Sequence, residues 1–154
     1  MIESKPPKSG VIDMVEIDMD CRRELTDAFK DIPNYVSLME TPDFLQYTPN
    51  KTYDYIIMNP PFHLKSINKF DYDFVKRAFS MLKPGGTLVA ITGIAYKSNP
   101  EIIEWYKNKK AIITQKSVEW REKDDKKLKN IGMEISNVKI AFIKLYKSIV
   151  NATH

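Results

Sequence analysis

Four consecutive residues, Asn59, Pro60, Pro61 and Phe62, have the types and the spacing to act on an exocyclic amine. A side-chain amide oxygen accepts a hydrogen bond, and so does the carbonyl of the proline that follows it. Two acceptors on one NH2 group draw its nitrogen out of conjugation with the ring and leave its lone pair available for attack. The prolines fix the backbone and add no competing N–H donor. Phe62 offers a flat face for a base turned out of its stack. A rigid Pro-Pro turn that merely closes a strand fits the same four residues. Position favours the chemical reading. The tetrapeptide directly follows residues 53–58 (YDYIIM), a strand candidate, and open parallel sheets bind ligands beyond the carboxyl ends of their strands.

Around the tetrapeptide, short apolar runs alternate with helical patterns, the order of a parallel α/β domain. Residues 11–17 (VIDMVEI) read as a strand. Asp20 is a candidate cap for a helix with Cys21, Leu25, Ala28 and Phe29 on its apolar face, ended by Pro33, and this places Cys21 in the core. Residues 35–39 form a second strand. The third, 53–58, is apolar enough to be buried on both faces. Phe70, Phe74, Val75, Ala78, Phe79 and Leu82 lie on one stripe of a helix over 70–82. The KPGG of 83–86 breaks that helix, and residues 87–92 (TLVAIT) read as a fourth strand. Pro100 suits the first position of a helix over 100–109. Residues 117–121 and 138–146 are two further strands, separated by a polar excursion at 122–130. The predicted order is β-α-β-β-α-β-α-β-β, in a single domain spanning 1–154.

Composition narrows the setting. A chain of 154 residues, 43% hydrophobic and 29% charged, suits one globular domain rather than a disordered segment. No apolar run approaches the ~20 residues that cross a bilayer, and the opening MIESKPPKSG lacks the apolar centre of a secretory signal. A cytoplasmic location without membrane contact is therefore expected. One cysteine excludes an internal disulfide, and with only His63 and His154 beside it no Cys/His metal site is expected. The net charge of +4 divides unevenly, about −5 over residues 1–60 and about +9 over 61–154. That split suits a polyanionic partner such as nucleic acid, although a solvated lysine-rich surface gives the same count. Lys65, Lys69 and the lysines of 107–129 are candidate phosphate contacts, which supply affinity rather than sequence specificity. Trp105 and Trp120 read as core or interface residues.

In type and in order, these segments resemble the class I S-adenosylmethionine-dependent amino-methyltransferases, over nearly the whole chain. The family's catalytic motif is Asp/Asn-Pro-Pro-aromatic, matched by Asn59, Pro60, Pro61 and Phe62. Asp43 and Phe44, with Leu45, stand sixteen residues before Asn59 and are similar to the loop that contacts the cofactor's adenine. Residues 14–18 (MVEID) are similar to the end of the second strand, where Glu16, with Asp18 beside it, would grip the ribose hydroxyls. Residues 73–92 match the helix, turn and strand that follow the motif, and 130–147 resemble the final hairpin. The resemblance implies a Rossmann-like sheet with an antiparallel C-terminal strand. It also implies S-adenosylmethionine as cofactor and direct in-line transfer of its methyl group to an amine. Cytosine C5 methylation needs a nucleophile in a Pro-Cys context, which Cys21 does not have. The Asn-Pro-Pro-Phe form implies adenine N6 in DNA, as in restriction-modification and phage enzymes, with Phe62, His63 and Lys65 toward the substrate. Guanine N2 in ribosomal RNA is the alternative, because the motif followed by His63 occurs there too.

One part of the family pattern is missing. The cofactor's methionine end is held by a glycine-rich turn about 20 residues before the acidic residue of the second strand. The five glycines here, at 10, 85, 86, 93 and 132, form no G-x-G, and the turn would fall before Met1. The fold is therefore expected to be N-terminally shortened, without its first strand and helix. Such a sheet would expose two inner edges. Those edges would close on each other, or be filled by a second polypeptide or a second copy of the chain. A non-catalytic methyltransferase-like subunit, keeping the fold as a binding module, is the reading from a different functional class.

Overall fold

The structure, a computed structural model, describes residues 10–32, 35–60, 70–119 and 137–149. The chain divides into two compact units, residues 1–49 and 50–154. The first contains β1 (Ile12–Met14), α1 (Met19–Ala28) and β2 (Val36–Leu38). The two strands pair in parallel, Ile12 against Val36 and Met14 against Leu38. Asp18 rather than Asp20 caps α1: it sits in extended backbone just before the helix, and its side chain accepts from the Cys21 N–H. Asp20 lies in the first turn, where a negative charge faces the positive end of the helix dipole.

Cys21 is exposed, not a core residue. Periodicity identifies which residues share a face of α1, but no residue of this helix is buried. A hydrogen bond with the Asp18 carboxylate, reinforced by the charges of Glu16 and Glu24, pushes the Cys21 thiol up from its ordinary value.

The second unit holds β3 (Tyr53–Met58), α2 (Phe70–Ser80), β4 (Leu82–Thr92), a 3-10 turn (Ala95–Ser98), α3 (Pro100–Asn108), β5 (Ile112–Glu119) and β6 (Asn137–Tyr146). Its sheet runs β3-β4-β6-β5, with β3 parallel to β4 and β6 antiparallel to both its neighbours. The element order and the antiparallel last strand agree with the sequence reading. Alternate residues of one sheet face, Leu88, Ala90 and Thr92 on β4 and Ala141, Ile143 and Leu145 on β6, are fully buried. Above them α2 buries Tyr72, Val75 and Ala78, and α3 buries Ile102 and Tyr106. Trp105 stands edge-on to Tyr72 and to Phe79, both at 5.6 Å, which makes it a packing residue. Asn99 caps α3 through its side chain, and Pro100 takes the first helical position as expected.

Three expectations change. The strand 53–58 is not buried on both faces: Tyr55 is 76% exposed and Ile57 66%. Double burial requires a covering layer on each face, and Tyr55 and Ile57 share a face left open to solvent; among the described residues β3 ends its sheet, paired with β4. Among the described residues the strands form two sheets, β1-β2 and β3-β4-β6-β5. Helix α2 ends at Ser80 rather than at 82, and both Leu82 and the KPGG segment lie inside β4. Tyr53 pairs with Leu82 but Tyr55 with Thr87, so the extra residues of β4 form a bulge. The Gly85 N–H donates to the Lys147 carbonyl at 2.7 Å, and the Lys147 N–H donates to the Gly86 carbonyl at 3.0 Å. The turn is thereby stitched to the chain beyond β6. Finally, β5 starts at Ile112 rather than at 117, after a left-handed Lys110 (φ 54°). Trp120 and the excursion 122–130 lie outside the described residues. No described helix is long and apolar enough to cross a membrane.

Candidate functional site

Asn59 is the first residue past β3, exposed, and Pro60 behind it is buried. Met58 pairs with Ala90 in the parallel ladder, so β3 and β4 end on the same side, at Asn59 and at Gly93. This is the carboxyl edge at which open parallel sheets hold their ligands. A buried proline fixes the carbonyl it carries, while an exposed asparagine can turn its amide oxygen toward a ligand. Pro61, Phe62, His63, Lys65 and Lys69 lie outside the described residues.

Behind this edge stands Asp71, in the first turn of α2 and 9% exposed. Its Oδ1 accepts from the Tyr72 N–H at 2.9 Å, and its Oδ2 accepts from the Gly93 N–H at 3.2 Å. The Thr92 hydroxyl donates to the Gly93 carbonyl at 2.9 Å. Burial raises the Asp71 carboxyl above its ordinary value, opposed by these amide bonds. Burial likewise pushes the Tyr106 phenol up, and the charge of Asp71 adds to it.

In the first unit, Glu16 follows β1 by two residues. Its Oε1 accepts from the Asp18 N–H at 2.9 Å, and the Asp18 carboxylate is engaged in capping α1. The Asp43 Oδ1 accepts from the Leu45 N–H at 3.0 Å, and its carbonyl accepts from the Gln46 and Tyr47 N–H groups. Asp43 thus shapes its own loop, with Phe44 half-buried beside it. Arg22 of α1 joins the two strand ends. Its Nη1 donates to the Glu16 carbonyl at 2.7 Å and its Nη2 to the Met39 carbonyl at 3.0 Å. One guanidinium therefore holds the carboxyl ends of β1 and β2 side by side, with Glu16 on one of them.

Arg22→Ala is expected to lower stability by about 2 kcal/mol, since hydrogen bonds from a charged donor contribute roughly 1.5–3 kcal/mol. A thermal melt would then fall by about 4–8 °C. Arg22→Lys should not restore it, because an ammonium cannot reproduce a planar fork that spans two carbonyls.

Neither Arg22 nor Asp71 was singled out from the sequence. Arg22 looks like one more polar position on a solvated helix. For Asp71 a signal existed: it is an acid set between two aromatic residues, Phe70 and Tyr72, where α2 begins its apolar stripe.

An α/β architecture with parallel strands and an antiparallel final strand is that of the Rossmann-like methyltransferases. The chain belongs to the methyltransferase small domain family, whose model matches residues 1–118. Solved structures of methyltransferases share its fold. A proposed RNA methyltransferase from Pyrococcus horikoshii superposes with a TM-score of 0.61 at 16% identity, over 95% of this chain and 65% of that one. The N-methyltransferase NodS from Bradyrhizobium japonicum, in complex with S-adenosyl-L-homocysteine, gives 0.56 at 12% identity, over 89% and 66%. An rRNA methylase from Streptococcus thermophilus gives 0.53 at 9% identity, over 90% and 74%. The chain thus spans about two thirds of the length of the first two. No curated protein matches the sequence.

Proposed function

We propose that the chain is the acceptor-binding part of an S-adenosylmethionine-dependent N-methyltransferase that acts on an exocyclic amine of a nucleobase, adenine N6 in DNA foremost. The observation that carries this reading is an exposed Asn59 next to a buried Pro60 at the carboxyl end of a parallel strand. The Asn59 amide oxygen and the Pro60 carbonyl accept the two N–H bonds of the amine, holding its nitrogen pyramidal with the lone pair outward. Phe62 stacks on the base, and His63 and Lys65 lie toward the nucleic acid. S-adenosylmethionine, held by Glu16, Asp18, Asp43 and Phe44, would supply an electrophilic methyl group to that nitrogen. Positioning and charge complementarity carry the rate, with no covalent enzyme intermediate.

The donor set fits the adenosine half of that cofactor. Glu16, held at the strand end by Arg22, offers carboxylate oxygen to a ribose diol, with Asp18 beside it. Asp43 and Phe44 supply a loop for the adenine. For the methionine half, this sequence has no G-x-G turn. We therefore propose that both units act as one domain, 1–154, once a further strand from a second polypeptide or second copy lies along the free edge of β3. The place of β3 at the end of its sheet, among the described residues, supports this reading.

RNA is the second reading, with guanine N2 of ribosomal RNA as target, favoured by RNA methyltransferases among the structures of similar fold. The deciding experiment has two stages. Calorimetric titration with S-adenosylhomocysteine is followed by transfer of a labelled methyl group to adenine-containing DNA and, separately, to ribosomal RNA. Binding together with label on adenine N6 supports the first reading, and label on guanine N2 supports the second. No cofactor binding and no transfer would leave a binding module and sink both.

A further inference from the structure

We propose that Asp71 is a positioning residue for the Asn59 and Pro60 pair: its buried carboxylate ties the first turn of α2 to the backbone just beyond β4, and so fixes the edge at which the pair stands. Its catalytic consequence rests on the function proposed above, whereas the positioning itself can be read without it.

The argument starts from the parallel ladder. Met58 lies against Ala90, so Asn59 leaves β3 at the edge where β4 ends with Ile91 and Thr92, and Gly93 comes next. Both polar groups of Gly93 are held, its N–H by Asp71 and its carbonyl by the Thr92 hydroxyl, and Thr92 is itself buried. The tie to Gly93 sets the first turn of α2 and the end of β4 at a fixed distance. Pro60, just past β3, is buried, and so is Asp71, bonded to Gly93 just past β4.

Capping alone does not account for this placement. A carboxylate taken out of water costs stability unless its oxygens find donors. The dipole of α2 is met already by Asp73, which is exposed in the same first turn. What Asp71 adds is the bond to a residue 22 positions away, on the strand next to the proposed acceptor pair.

Two variants test this. Asp71→Ser keeps a short acceptor for the Tyr72 N–H but cannot reach Gly93. Asp71→Asn keeps the shape but presents an acceptor to one of the two amides only. In the isotopically labelled chain, amide exchange at Gly93 should rise by about tenfold in Asp71→Ser, with exchange at Leu88 and Ala90 still slow, which establishes that the fold is intact. The Asn59 backbone and side-chain amide resonances should move with it, and Asp71→Asn should fall between native and Asp71→Ser. In methyl transfer kcat should drop by about tenfold to a hundredfold, while KM and the affinity for S-adenosylhomocysteine stay level. Unchanged Gly93 exchange and unchanged Asn59 resonances would overturn the proposal, as would full kcat in Asp71→Ser. Absence of transfer by the native chain would count against the function instead, and the Gly93 and Asn59 signals would still decide the role of Asp71.

Discussion

Replacing Asn59 by alanine is expected to lower kcat for methyl transfer by about a hundredfold to a thousandfold, the usual loss when one preorganised polar partner leaves a reacting centre. Affinity for S-adenosylhomocysteine should stay at the native value, because the proposed cofactor ligands Glu16, Asp18, Asp43 and Phe44 all lie in the other unit. The physical reason is specific to the amine. An exocyclic NH2 is a poor nucleophile while its lone pair is delocalised into the ring. The Pro60 carbonyl alone can accept one of its two N–H bonds, which orients the group without forcing the nitrogen out of plane. Asn59→Asp keeps an acceptor oxygen at the same reach and should retain far more activity than Asn59→Ala. The pair of variants thus isolates hydrogen-bond acceptance from mere side-chain bulk. Asn59 is exposed and ends a strand, so neither change should alter the melting temperature by more than a degree or two, and lost activity cannot be ascribed to unfolding. Equal transfer by the native chain and Asn59→Ala would refute the mechanism. Equal nucleic-acid binding with no transfer by either would point to the binding module.

The order of elements was legible because it depends on the chain alone: period-2 and period-3.6 apolar patterns, the Pro100 helix start and the tetrapeptide after a strand. The misreadings share one cause, which is that burial depends on neighbours that pattern cannot supply. Cys21 has helical spacing with Leu25 and Ala28 yet lies on a helix without a buried residue. Residues 53–58 have the composition of an inner strand and, among the described residues, stand at the end of a sheet. The residues that tie helices to strand ends were harder still. Asp71 bonds a backbone amide 22 positions away and Arg22 a carbonyl 17 positions away. Main-chain partners leave no signature in side-chain types, so such ties appear only when the chain is folded.

The same blindness to the main chain affects Gly86, and it yields the largest expected loss of stability. As a breaker, the second glycine of KPGG should tolerate alanine, since its φ is not in the left-handed region. The fold gives the opposite expectation. A Cβ at Gly86 would lie 2.9 Å from the Lys83 carbonyl oxygen and 3.1 Å from those of Asp54 and Tyr53. All three are main-chain atoms of paired strands, and none can swing aside as a side-chain tip can. Relief requires β4 to withdraw from β3 just where Tyr55 meets Thr87, or the bulge to reopen and surrender the bonds between Lys147 and the two glycines. Overpacking of this kind costs about 1–3 kcal/mol, and the upper half of that range corresponds to a melting temperature lowered by about 4–12 °C. Gly85→Ala provides the control. There φ is +82°, so alanine is strained, but the nearest atoms belong to the Ile149 side chain at 3.2 Å, which can rotate away. Its cost is one residue's left-handed penalty, about 1–2 kcal/mol. Gly86→Ala should therefore melt below Gly85→Ala, although sequence rules built on glycine's torsional freedom rank them the other way. The reverse order would mean that backbone conformation, not the close approach of β3 and β4, is what glycine supplies at this turn.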